Sequence, residues 1–186
     1  MRQRCSDCFK VLDSCYCHTI KFYENSKHII ILMHDSEKGH ALGTAQMAKL
    51  TFKSIDLLVG EDFNKNEELK SMIASNKCAL LKPSTEAALY EESYQDFDTL
   101  ILIDGTWKKA NKIYFMNHFL HALPHVTFRP GAPSRYKLRR EPKEHYLSTF
   151  ESIIKSFEIS EQSDLSHYLA PLDFIQEFQM QKRKES

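Results

Sequence analysis

Short apolar runs alternate with amphipathic stretches along most of this chain. His28–His34 (HIIILMH) is an unbroken, isoleucine-rich run of strand length. Thr44–Ile55 has helical spacing, with Ala45, Ala48, Leu50, Phe52 and Ile55 at its apolar positions. A short strand over Asp56–Val59 stops at Gly60, and a helix follows over Asn66–Ala74. Cys78–Leu81 is another strand, closed by Pro83, and Ser84–Glu92 reads as a helix capped by Ser84 or Thr85. Thr99–Ile103 (TLILI) is the clearest buried strand, and a helix runs on from Thr106 to Leu120. Phe128–Pro142 is broken by Pro130, Gly131, Pro133 and Pro142. Tyr146–Phe157 is helical, with Ser148-x-x-Glu151 as a capping box near its start. Leu165–Lys184 is helical with a break near Pro171. Such alternation predicts an α/β fold with a mainly parallel sheet flanked by helices. Sites in these folds lie beyond the carboxyl ends of strands. Met33–Glu37, Leu81–Thr85 and Asp104–Trp107 are therefore expected on one edge.

Residues 1–19 lack this periodicity but hold four of the five cysteines. Cys5-x-x-Cys8 followed by Cys15-x-Cys17 supplies four thiolates, the ligand set of a closed, structural tetrahedral zinc site. His18 is the substitute ligand should Cys17 fall short. Two disulfides or a redox pair are the rival readings; a cytosolic chain disfavours the first, and no strand–helix junction predicts the second. Residues 1–19 are thus read as a zinc-binding knuckle and 20–186 as the α/β domain. Cys78 sits in a core strand as a small buried side chain.

Composition adds limits. At 42% hydrophobic and 27% charged, the 186 residues suit a folded globular protein. No apolar run approaches the roughly 18 residues that span a bilayer. Met1–Lys10 lacks the features of a secretory signal, so the cytoplasm is the expected location. Net charge is zero, but it is unevenly spread. Between Gly105 and Lys143 nine Lys or Arg face one acid, Glu141, leaving +8 there and −8 elsewhere. A polyanion-binding surface is favoured over a solvated face balanced by distant acids.

Asp104-Gly105-Thr106-Trp107 closes the best strand and opens a helix. Spacing alone favours a plain reading, with Asp104 or Thr106 as a cap and the single Trp in the core. Lys108, Lys109 and Lys112 then share a helix face beside that carboxylate, which suits a phosphate track leading to a reaction centre.

These residues, taken in order, resemble the DTW-domain family. The opening Cys-x-x-Cys…Cys-x-Cys, His34-Asp35-Ser36-Glu37 with Gly43-Thr44, and Leu81-Lys82-Pro83-Ser84 carry the resemblance. So do Asp104-Gly105-Thr106-Trp107, Tyr136-Lys137-Leu138-Arg139 with Glu141-Pro142, and Leu147-Ser148-Thr149-x-Glu151. Asp35 replaces the usual Pro, and Gly43 the usual Asn. The resemblance implies a SPOUT-like α/β fold with a knotted cofactor loop. It also implies transfer of the 3-amino-3-carboxypropyl group of S-adenosylmethionine to N3 of a tRNA uridine. The Gly-x-Gly-x-x-Gly turn of a dinucleotide fold is absent.

On that reading Asp104 is the base that takes the N3 proton, or the ligand of the cofactor's amino group. Pro83, Ser84, Gly105, Thr106, Trp107 and Tyr136 are expected to line the cofactor pocket. Lys108, Lys109, Lys112, Arg135, Lys137, Arg139 and Arg140 are expected on RNA phosphate, with the arginines also able to orient the transferred carboxylate. His34 and Glu37 are candidates to polarise the base or grip the ribose, although a strand-end His is commonly just hydrogen bonded. His121 and His125 carry no functional expectation. Partners are tRNA, with no membrane and no obligate protein. The competing readings are a SPOUT-type RNA methyltransferase and a non-catalytic, zinc-containing RNA-binding module.

Overall fold

A computed structural model describes residues 3–37, 43–131, 134–135 and 147–184. Among them, six strands form one wholly parallel sheet in the order β2-β1-β5-β3-β6-β4. These are β1 (His28–Met33), β2 (Ile55–Val59), β3 (Cys78–Leu81), β4 (Ala88–Leu89), β5 (Thr99–Asp104) and β6 (His125–Thr127). The helices are α1 (Ala45–Thr51), α2 (Glu67–Ser75), α3 (Tyr90–Ser93), α4 (Trp107–Met116), α5 (Thr149–Glu161) and α6 (Ala170–Lys184).

The two central strands explain the continuous apolar runs. Ile29, Ile31, Met33, Leu100 and Leu102 join one core with Phe150, Phe157 and Leu172. Ile30, Leu32 and Ile101 point the other way, into a second core with Leu69, Ile113 and Leu120. Side chains alternate with period two, so a strand covered on both faces must be apolar throughout. Each such Ile or Leu contributes about 1.5–3 kcal/mol by leaving water. The register pairs Met33 with Asp104 and Met33 with Val59. Three neighbouring strands therefore release their chains at one edge.

Several expected elements differ. The helix expected over Ser84–Glu92 is replaced by a turn, then β4, and only Tyr90–Ser93 is helical. Ala88 and Leu89 pair with Val126 and Thr127, so the sheet claims two residues that a helix would have used. Strand β6 was not foreseen; it has three residues and only Val126 of them is buried. Helix α1 stops at Thr51, before the expected Ile55, because the backbone around Phe52 bridges to Tyr23. Helix α4 stops at Met116, before Leu120, as Asn117 turns its side chain back onto the Ile113 carbonyl at 2.7 Å. The break expected near Pro171 is kept, as a 3-10 turn over Ser166–Leu169 gives way to α6 at Ala170. Pro171 lies buried in the first turn of α6, where a missing N–H has no helical partner to lose. Among the described residues, no helix is long and apolar enough to cross a membrane.

Candidate active site and metal centre

The knuckle is a tight hairpin. Arg4 and Val11 form an antiparallel bridge, the Cys5 N–H donates to the Lys10 carbonyl (2.8 Å), and that of Phe9 to Cys5 (3.1 Å). Closing so small a turn forces Phe9 into the left-handed region at φ 58°. For a residue with a Cβ this costs about 1 kcal/mol. The turn then brings all four thiols together: the Cys5, Cys8, Cys15 and Cys17 sulfurs lie within 4.8 Å of one another. The Cys5–Cys17 and Cys8–Cys15 Sγ pairs are each 3.7 Å apart. A disulfide needs about 2.05 Å, and none is formed. Ligands about 2.3 Å from a tetrahedral metal stand about 3.8 Å from each other. The thiols can thus hold one metal ion.

Backbone N–H groups of Cys8 and Asp7 aimed at Cys5 lower its thiol to about 7, while burial raises those of Cys15 and Cys17. Cys17 reaches the cluster, so His18 is not called on; its ring packs edge-on against Phe174 of α6 instead. Tyr16 is wholly buried beside the cluster and shares a hydrophobic core with α5 and α6. The Gln46 amide of α1 donates to the Asp7 carbonyl at 2.7 Å, which fixes the hairpin to the α/β body.

At the sheet edge, Asp104 ends the central strand and is only 4% exposed. Its carboxylate accepts a hydrogen bond from the Thr149 hydroxyl at the start of α5. The carboxylate is therefore not at an open mouth, as its place in the sequence suggested, but set back beneath the turn. Thr106 is the N-cap of α4 through its backbone, without a side-chain cap bond. Gly105 has a steric reason: an added Cβ would meet Lys109 Cβ at 3.1 Å and His34 Cβ at 3.6 Å. Trp107 is 39% exposed, so the plain reading of a core tryptophan is overturned. Pro83 and Ser84 leave β3 exposed on the same edge, next to β5.

His34 is a hub rather than an open base. Its Nδ1 accepts from the Ser36 N–H at 3.2 Å and the Ser36 hydroxyl at 3.0 Å. The proton must then sit on Nε2, which donates to Glu61 Oε1 at 2.6 Å. Glu61 also pairs with Lys112, and the lysine beside it holds its carboxyl below the usual range, with His34 assisting. Lys109 pairs with Glu37 at 2.9 Å. Glu61 was missed in the sequence; it stands just past Gly60 after β2, so the strand-end rule applied to that strand would have found it. Asn117 is equally hidden in sequence. Its fully buried amide accepts from the Phe63 N–H (2.6 Å) and donates to the carbonyls of Glu61 (2.8 Å) and Ile113.

The family model described as the DTW domain matches residues 2–182. The chain belongs to the DTW family. A tRNA-uridine aminocarboxypropyltransferase 2 from Macaca fascicularis is 28% identical over 192 residues, covering 97% of this chain and 64% of that protein. The protein of the same name from Mus musculus matches to the same extent. That from Drosophila melanogaster is 31% identical over 169 residues, 86% of this chain and 67% of the relative. The chain spans 64% of the length of the two mammalian relatives it matches. No solved structure matches it significantly.

Within this DTW chain the closing motif acts as a staple. Ser148 and Glu151 complete a capping box on α5. Glu151, 5% exposed, also accepts from the Ser134 hydroxyl (2.8 Å) and the Arg135 N–H (2.7 Å). One buried carboxylate thus satisfies a helix start and holds Ser134 and Arg135. Arg135 reaches Asp173 of α6 at 3.2 Å. Lys109, Lys112, Arg129 and Arg135 all meet acids from other elements, so part of the +8 window is neutralised by the fold. Lys108 is exposed. Tyr136, Lys137, Arg139 and Arg140 lie outside the described residues.

Proposed function

We propose that this chain transfers the 3-amino-3-carboxypropyl group of S-adenosylmethionine to N3 of a uridine in tRNA. The products are the aminocarboxypropyl uridine and methylthioadenosine. The observation that carries the reading is the DTW turn itself: a carboxylate set back at the end of the central strand, beside an exposed tryptophan, in a chain whose relatives bear that activity in their names. S-adenosylmethionine supplies a carbon made electrophilic by the adjoining sulfonium. In the transfer the N3–carbon bond forms, the carbon–sulfur bond breaks with its electron pair passing to sulfur, and the N3 proton is released to water.

Asp104 is suited to hold a cation in place. Little water screens a carboxylate that is 4% exposed, so charge brought against it is felt strongly. We assign it to the donor's amino group or sulfonium rather than to free proton exchange with solvent, with the Thr149 hydroxyl fixing its rotamer. Trp107, Thr106, Gly105, Pro83 and Ser84 stand on the same edge and are assigned, with Tyr136, to the walls around the donor. Lys108, Lys109, Lys112 and Arg135, with Lys137, Arg139 and Arg140, are assigned to RNA phosphate. Lys109, Lys112 and Arg135 would exchange their present acid partners for it. The four-cysteine knuckle is assigned a structural zinc ion, supported by its sulfur spacing. A SPOUT-like fold and a cytoplasmic location accord with this reading.

The test is incubation of the protein with S-adenosylmethionine and unmodified tRNA, followed by mass analysis of nucleosides and small products. Aminocarboxypropyl uridine together with methylthioadenosine is expected. Methylated nucleoside with S-adenosylhomocysteine would make it a methyltransferase. RNA binding without turnover would leave a binding module.

A further inference from the structure

The knuckle does more than close on its own sulfurs. Between it, α1 and the outer strands lies a hollow of about 210 Å³. Phe9 and Lys10 form one wall, Met33 and Val59 the floor at the ends of β1 and β2, and Gln46 and Lys49 of α1 the far side. It opens on the same sheet edge as the DTW turn. Glu37 touches both, since it lines the hollow and pairs with Lys109 of α4.

Phe9 is the anomaly. It occupies the left-handed region, where glycine is the ordinary choice, yet it keeps a ring that is 48% exposed. Neither backbone preference nor burial accounts for a phenylalanine there. Strain retained at an exposed position that lines a cavity is a mark of a binding role. The surroundings narrow the ligand. An exposed ring above an apolar floor suits the flat face of a base. Lys49 stands exposed at its rim, Lys10 is buried in its wall, and among the described lining residues the one carboxylate, Glu37, is matched by Lys109, so the exposed charge at the rim favours an anion.

We propose that this hollow takes an unpaired nucleotide of the RNA substrate, its base stacked on Phe9 and its phosphate met by Lys49. The inference rests on the tRNA reading above and adds a second contact, away from the basic window that begins at Gly105. The knuckle is thereby a reader of single-stranded RNA as well as a structural clasp. Its distance along the edge from Asp104 would set which base, relative to the one contacted, reaches the donor.

The decisive measurement compares wild type with Phe9→Gly, using direct binding of unmodified tRNA and of S-adenosylmethionine, alongside thermal unfolding. Phe9→Gly should bind tRNA about 10-fold more weakly. It should keep its affinity for S-adenosylmethionine and unfold at the same or a higher temperature, because glycine relieves the backbone. Phe9→Asn, which also tolerates the left-handed region, should lose RNA affinity equally, and Phe9→Trp should retain it. Lys49→Gln should lower the salt dependence of binding by about one unit of slope. Wild-type affinity for tRNA in folded Phe9→Gly would overturn the proposal, as would loss of S-adenosylmethionine binding, which would give the hollow to the donor. If wild type itself fails to bind tRNA, the transferase reading falls with it; a loss confined to these variants does not touch that reading.

Discussion

The knuckle and the sheet edge assemble their chemistry in opposite ways. All four thiols come from one stretch between Cys5 and Cys17, joined by turns that the chain makes locally. The edge draws His34, Glu61, Asp104, Lys112 and Thr149 from five separate segments. A local cluster can be ordered by one ion; a dispersed one depends on the whole sheet being in register. The first should therefore fail as a unit when a ligand is lost. The second should lose its functions piece by piece.

The largest effect is expected at the knuckle. With the proposed zinc ion in place, Cys8→Ser should abolish bound metal by elemental analysis and lower the unfolding temperature by about 10 °C or more, since binding of a structural metal is coupled to folding. Retained metal and an unchanged midpoint would make the knuckle as piecemeal as the edge. Next is Asp104→Asn, expected to reduce transfer about 100-fold or more while circular dichroism stays native. Near-normal turnover would move the donor's partner elsewhere.

Glu151→Ala comes third. It removes the Glu151 half of the capping box on α5, leaving the Ser148 cap in place, and leaves the Ser134 and Arg135 donors without their acceptor, at a cost of about 2 kcal/mol in denaturant unfolding. Smallest is Glu61→Gln, and its signature is in pH. Lys112 holds the Glu61 carboxyl below its unfolded value, so its stabilising effect is present above about pH 4.5 and is lost as pH falls through the lowered folded value. The gap in unfolding temperature between wild type and Glu61→Gln should narrow on acidification. A gap that widens would mean Glu61 is not held by Lys112.

The same contrast explains what could be read in advance. Cysteine spacing, the TLILI strand and the Ser148–Glu151 box are local statements about neighbours, and the structure keeps them. The parallel sheet followed from short apolar strands alternating with amphipathic helices. Strand β4 was misassigned because two residues carry too little pattern to outweigh a neighbouring helix, and pairing with β6 decided the matter. His34–Glu61, Asp104–Thr149 and Glu151–Arg135 depend on which strand ends meet, and no spacing encodes that. The set-back position of Asp104 was hidden for the same reason, as it arises from α5 closing over the turn.

Asn117 ties the far end of α4 to the loop after β2 through two hydrogen bonds, with a third to the Ile113 carbonyl of α4 itself, in a place water does not reach. At its near end, a methyl group on Gly105 would crowd Lys109 Cβ of the same helix at 3.1 Å. A helix anchored at its far end in this way has little freedom to tilt. On the proposed reading, a polyanion meeting Lys108, Lys109 and Lys112 would conform to the spacing of α4, and the adjustment would fall to the nucleic acid.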